Sequence, residues 1–219
     1  MAGHPRHVAA GVPSLTRVTR LVVSCLVLGG GVAMLLLASL GSDGYSTLVN
    51  GASIALDVPF LLVNCVLALA LVVLAWSRGL PPGLGTVVQP VVVGTAVSVL
   101  LAAFDQPDAL AVRAGLLVLA FPVLAIGVAG YLASGAGAGP TEAAALAFDP
   151  PVPFRWSYSV VQGGGALVGW LLGAAIGPGT LLVIAALGPS VDLLSRHVPL
   201  LDISAAGRVA ARPGAEADA

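Results

Sequence analysis

The chain has no lysine, and its nine basic residues are all arginine. A Walker-type phosphate loop needs a lysine after its glycines, and the run Gly135 to Gly139 ends in Pro140 instead, so no ATP-driven engine is encoded here. Histidine is almost as scarce. His4, His7 and His197 lie in or next to the tails, with no His-x-x-His, Glu-x-x-His or Gly-x-Ser-x-Gly spacing. No catalytic residue, metal site or cofactor is therefore expected, nor any enzymatic activity. The two cysteines, Cys25 and Cys65, fall inside apolar runs, where a thiol serves as a small packing residue rather than half of a disulfide or metal pair. A net charge of −1 with no basic face leaves nucleic acid without a partner surface.

Charged residues make up 9% of the chain and hydrophobic ones 58%. A soluble domain carries charge on about a quarter of its residues, so lipid is the expected solvent and the bilayer the first partner. Apolar runs of span length occur at Leu21 to Leu40, Phe60 to Ser77, Thr86 to Phe104, Ala114 to Ser134, Trp156 to Ile176 and Thr180 to Leu194. They predict an all-α polytopic membrane protein of six transmembrane helices. Its parts are a tail (1–20), a first membrane repeat (21–104), an external linker (105–113), a second repeat (114–200) and a disordered tail (201–219).

Arginine placement fits that count. Arg6, Arg17, Arg20, Arg78, Arg155, Arg196, Arg208 and Arg212 share one face of a six-span arrangement, and only Arg113, beside Asp105 and Asp108, lies on the other. The positive-inside rule puts both termini in the cytoplasm, with Trp76 and Trp156 at the cytoplasmic interface. Arg17 and Arg20 before Leu21 to Leu37 have the layout of a signal peptide. That reading loses ground to the alignment of this span with the fourth.

The alignment comes from an internal duplication. Val58-Pro59-Phe60, Trp76, Gly79, Gly83-x-Gly85-Thr86 and Gly94 recur 94 positions later as Val152-Pro153-Phe154, Trp170, Gly173, Gly177-x-Gly179-Thr180 and Gly188. Upstream the offset is 96: Gly31-Val32-Ala33 and Gly41 match Gly127-Val128-Ala129 and Gly137. Three spans per copy is an odd number, so the copies are expected to be inverted relative to each other.

The loops and a few intramembrane polar groups supply the candidate sites. Gly41 to Gly44 and Gly135 to Pro140 each precede a short segment, Tyr45 to Leu56 and Thr141 to Phe148, too short to cross and expected as re-entrant or interfacial helices. Gly83-Leu-Gly85-Thr86 and Gly177-Pro-Gly179-Thr180 open spans three and six; they are either tight turns between packed helices or anion sites at helix starts. The tentative solute-contacting set is Gly41, Gly44, Gly83, Gly85, Thr86, Gly137, Gly139, Pro140, Glu142, Gly177, Gly179 and Thr180. Inside the spans Asn64, Gln89, Ser98, Tyr158, Gln162 and Asp192 stand out. Asn64 and Gln162 are expected to bond across helices, and Asp192 to pair with Arg196. No carboxylate sits mid-span, so proton coupling is not expected.

Gly169-Trp-Leu-Leu-Gly173-x-x-x-Gly177-x-Gly179-Thr180, the following Ala185 to Leu194 (AALGPSVDLL), Gly83-x-Gly85-Thr86 and Gly137-x-Gly139-Pro140 together resemble the bacterial YczE/YitT family of small integral membrane proteins. The likeness spans about residues 21 to 200 and implies a multi-pass protein of the bacterial inner membrane. Where those relatives carry Gly-Pro with an aromatic and an acidic residue after the first span, this chain has Gly44-Tyr45-Ser46; for the acid after the second Gly-Pro, Glu142 is the nearest match. The expected role is a transporter-like permease for a small solute held between the repeats. The alternatives are a substrate-binding membrane subunit of a larger transport system, or an accessory or scaffold protein of a membrane complex, either alone or as a homo-oligomer.

Overall fold

A computed structural model describes residues 15–148, 151, 152 and 154–201. Among them it contains eight α-helices and no strand: α1 (Leu15–Ala38), α2 (Gly44–Leu56), α3 (Phe60–Ser77), α4 (Leu84–Ala103), α5 (Leu110–Ala133), α6 (Pro140–Leu146), α7 (Phe154–Leu171) and α8 (Pro178–His197), followed by one 3₁₀ turn (Pro199–Leu201). An all-helical outcome is what an apolar solvent imposes, because each helix satisfies its own backbone. Large apolar side chains accordingly stay exposed on the outer faces of α3, α4, α5 and α8, among them Leu62, Val66, Val87, Val118 and Leu181.

Five helices, α1, α3, α4, α5 and α8, are long and apolar enough to cross a membrane. The chain is a multi-pass membrane protein on that basis. The sixth expected span, α7, is an 18-residue helix that falls short in hydropathy. Arg155, Gln162 and the run Gly163-Gly164-Gly165 dilute its apolar content. Several boundaries also differ from the sequence reading. α1 begins at Leu15, so Arg17 and Arg20 belong to a helix rather than a tail, and Arg113 lies in α5 rather than in a linker. Residues 1–14 and 202–219, the rest of the expected tails, lie outside the described residues.

Positions matched by the sequence repeat share backbone features. α1 and α5 have 24 residues each, α3 and α7 have 18, and α4 and α8 have 20. Left-handed φ values recur at matched positions: Ser39 (48°) with Gly135 (65°), Gly41 (103°) with Gly137 (112°), and Gly79 (90°) with Gly173 (101°). Glycine is retained at five of these six sites because only it takes positive φ without a steric penalty.

Packing between the copies is reciprocal. α1 lies along α5, while α2 packs on α7 and its counterpart α6 packs on α3. A Cβ on Gly31 would fall 2.8 Å from Leu124 Cγ, and one on the matching Gly127 would fall 2.6 Å from the backbone nitrogen of Leu28. Advancing along α1 from Leu28 to Gly31 therefore retreats along α5 from Gly127 to Leu124. The two helices run in opposite directions at close approach, which small residues permit. Leu28, Val32, Leu35, Val97 and Leu124 are packed in the core around this crossing.

Candidate functional site

A cavity of about 560 Å³ opens between the two copies. Its wall is built in matched pairs: Leu28 and Leu124, Val32 and Val128, Asn64 and Tyr158, Gln89 and Val183, Pro90 and Ile184, Val93 and Leu187 all line it. Such pairing means that the relation between the copies passes through the cavity. Its size is that of a small-molecule site.

The polar groups arrive on the short helices and on the helices they pack against. Asp43 is the N-cap of α2, its carboxylate accepting from the Ser46 N–H at 2.9 Å. The next residue but one, Tyr45, donates its backbone N–H to Gln162 Oε1 at 2.9 Å and its hydroxyl to the Asn64 carbonyl at 3.2 Å. Gln162 in turn donates to the Tyr158 hydroxyl at 2.8 Å. From the other copy, α6 brings Glu142 in its first turn, where Thr141 Oγ1 donates to Glu142 Oε2 at 2.9 Å. Tyr131 accepts the Gly139 N–H at 2.7 Å and so pins the start of α6.

Electrostatics follow from that enclosure. Burial raises the Asp43 carboxyl above its ordinary range, and the Ser46 hydrogen bond only partly opposes this. Glu142 is likewise raised by burial, with the Asp43 charge adding to the effect. Tyr45 is raised by burial and by Asp43. No Arg, Lys or His is among the described residues of the wall. Gln89 Oε1, also at the wall, is buried without a hydrogen-bond partner.

The sequence-derived candidates divide into two groups. Asn64, Gln89, Tyr158, Gln162, Pro140 and Glu142 meet at the cavity. Asn64 and Gln162 also bond across helices, Asn64 Nδ2 donating to the Pro90 carbonyl at 2.7 Å. Ser98 lies elsewhere, accepting from the Leu61 N–H at 2.8 Å. The remaining glycines and threonines form two helix-to-loop contacts instead. Gly179 N–H donates to the Leu40 carbonyl at 2.9 Å, with Gly41, Gly177 and Thr180 crowded around it. In the matching place Gly85 N–H donates to Ala136 at 2.7 Å, and Thr86 Oγ1 donates to the Ala138 carbonyl at 2.7 Å beside Gly83 and Gly137. These N–H groups are taken by the neighbouring loop, which leaves them unavailable to an anion. Gly44 and Gly139 lie behind the wall, Gly44 against the backbone of Gln162 and Gly139 against Gln89 and Glu142. The side chain of Asp192 lies outside the described residues, and with it the expected pairing to Arg196.

Sequence reasoning missed Asp43, Tyr45, Tyr131 and Thr141. The short helices, outside the spans, carry two carboxyls to the cavity from their starts, Asp43 and Glu142. The Asp43-x-x-Ser46 pattern of a helix N-cap was the available signal.

With the geometry in place, comparison with known proteins identifies the group. The chain belongs to DUF6198, a family of unknown function. The family match covers residues 15–196, which takes in every helix up to the last turn of α8. This DUF6198 chain is also 27% identical over 194 residues to an uncharacterized protein of Haemophilus influenzae, covering 82% of this chain and 86% of that one. No solved structure matches it. The likeness to YczE/YitT proteins over about residues 21 to 200 is a resemblance of motifs, and the family shown for this chain is DUF6198.

Proposed function

We propose that the protein is a transporter-like permease of the cell membrane, built as two inverted three-span repeats that hold a small solute in the shared cavity. The observation that carries this reading is the pairing of the cavity wall, one residue from each repeat at matched positions. Inverted repeats with a central site and short helices beside it are a recurring transport architecture. The opposed directions of α1 and α5 support the inversion, and α7 counts as the sixth span because it repeats α3 in length and position. Arginine placement supports an orientation with both termini in the cytoplasm.

A second feature favours motion. Ser42 and Ala138 occupy matched positions, yet Ser42 is 1% exposed while Ala138 is half-buried and Gly137 beside it is exposed. One access loop is closed over and the other is open, as one state of an alternating cycle requires.

Single cysteines at Ser42 and Ala138, with Cys25 and Cys65 replaced by Ala, test this directly. A membrane-impermeant thiol reagent applied to open vesicles should label the two sites reciprocally as solutes are varied. Equal labelling under all conditions favours a static scaffold. Reporter fusions after Arg20, Leu80, Ala145 and Leu200 should read cytoplasmic, and those at Asn50, Asp108 and Pro178 external. An external signal from Leu200 would remove the sixth span and the inversion with it.

A further inference from the structure

We propose that the solute class is an organic cation, a protonated amine on an apolar body, held between Asp43 and Glu142 in competition with protons. The inference rests on the reading of the cavity as a solute site and names what that site selects.

Charge comes first. The only charged side chains at the described wall are the two carboxyls, one from each copy, with no base to neutralise either. Their hydrogen-bond partners are neutral: the backbones of Ser46 and Tyr45 and the Ser46 side chain for Asp43, and the Thr141 hydroxyl for Glu142. An ionised carboxylate so enclosed is costly unless a cation or a proton joins it. The same wall would reject an anion.

Hydrogen bonding gives the second, independent sign. Gln89 Oε1 is buried at the wall and has no donor among the described residues. It lies beside Glu142, since a Cβ on Gly139 would contact both side chains. An unsatisfied buried acceptor next to a carboxylate is complementary to an ammonium group, which carries several N–H donors.

Shape supplies the third. Tyr45, Tyr131 and Tyr158 line the cavity around the carboxyls, and aromatic rings attract a cation at their faces. Leu, Val, Ile and Phe make up much of the rest of the wall, which suits a hydrocarbon body. Among the described residues the titratable groups facing Asp43 and Glu142 are these three tyrosines and each other. With both carboxyls biased towards the protonated form by burial, a bound cation displaces a proton. Exchange of one for the other follows without any further group.

The test uses a pair of probes of nearly equal shape and opposite charge, 2-phenylethylammonium and 3-phenylpropionate, titrated calorimetrically into the full chain in lipid nanodiscs at pH 8, with empty discs as the blank. The ammonium should bind saturably and the carboxylate should not. Lowering the pH to 5 should weaken the ammonium at least about tenfold, and Asp43→Asn or Glu142→Gln should do the same at pH 8. Proton release on binding, read from the dependence of the heat on buffer ionisation, should be larger at pH 5 than at pH 8 and smaller in each variant. Equal binding of both probes, binding of neither, or unchanged affinity in both variants overturns the proposal. Should a variant fail to fold, the comparison of the two probes on the unaltered chain still decides. Cation binding without reciprocal labelling at Ser42 and Ala138 would leave the cation site standing and remove the permease. Reciprocal labelling without cation binding would do the reverse.

Discussion

Gly85 donates its backbone N–H to the carbonyl of Ala136 at 2.7 Å, tying the start of α4 to the loop between α5 and α6. The matched bond from Gly179 to Leu40, at 2.9 Å, ties α8 to the loop between α1 and α2. Each copy thus clasps the other by the same device, at the loops that flank the cavity.

Side chains should be excluded at both clasps. A Cβ on Gly85 would lie 2.9 Å from the Gly137 carbonyl oxygen, and one on Gly179 would overlap the Gly41 carbonyl oxygen. Gly85→Ala and Gly179→Ala should each cost about 1–3 kcal/mol through overpacking against backbone that cannot yield. Gly30→Ala and Gly115→Ala, where nothing lies within 4 Å, should be neutral or slightly stabilising. Thermal unfolding in detergent separates the two classes. Similar melting of all four variants would show that the clasps are slack.

Arg113 works as a cap on a helix other than its own. Its Nε donates to the Ala38 carbonyl at 2.6 Å and its Nη2 to the Ser39 carbonyl at 2.7 Å, satisfying the end of α1 from α5. Arg113→Met should lower stability by about 1–3 kcal/mol, because two carbonyls lose charged donors. Arg113→Lys, a single point donor, should fall between the two. A Lys variant that melts like the wild type would mean that charge alone matters there.

The carboxyls predict a particular dependence on pH. Both are raised in the folded state above their ordinary values of 3.8 for Asp43 and 4.5 for Glu142. The folded protein then holds protons that the unfolded chain releases. The contribution is fully present below those ordinary values and is lost as pH rises through the folded ones. Melting temperature should accordingly drift down between pH 5 and pH 8, and Glu142→Gln should flatten the drift and melt higher than wild type at pH 8. An unchanged slope in both Glu142→Gln and Asp43→Asn would show that neither group is raised.

The chain by itself indicated the solvent and the helical class, and it carries the repeated motifs. Charge at 9% and apolar runs of span length leave no other medium, and Trp, Pro, Gly and Thr recurring at a fixed offset record the repeat without any knowledge of contacts. It also marked Asn64, Gln89, Tyr158 and Gln162, since a polar group in an apolar helix must turn inward. What it left open was the meaning of the glycines and the place of the acids. A Gly-x-Gly-Thr start reads equally as an anion site or a contact until the loop that takes its N–H groups is seen, and that loop lies about fifty residues away or more in sequence, at Ala136 or Leu40. Asp43 and Glu142 sit outside every span, where a carboxylate ordinarily meets water. Only the folding of α2 onto α7, where glycines let the two backbones approach closely, and of α6 onto α3 carries them to the same cavity.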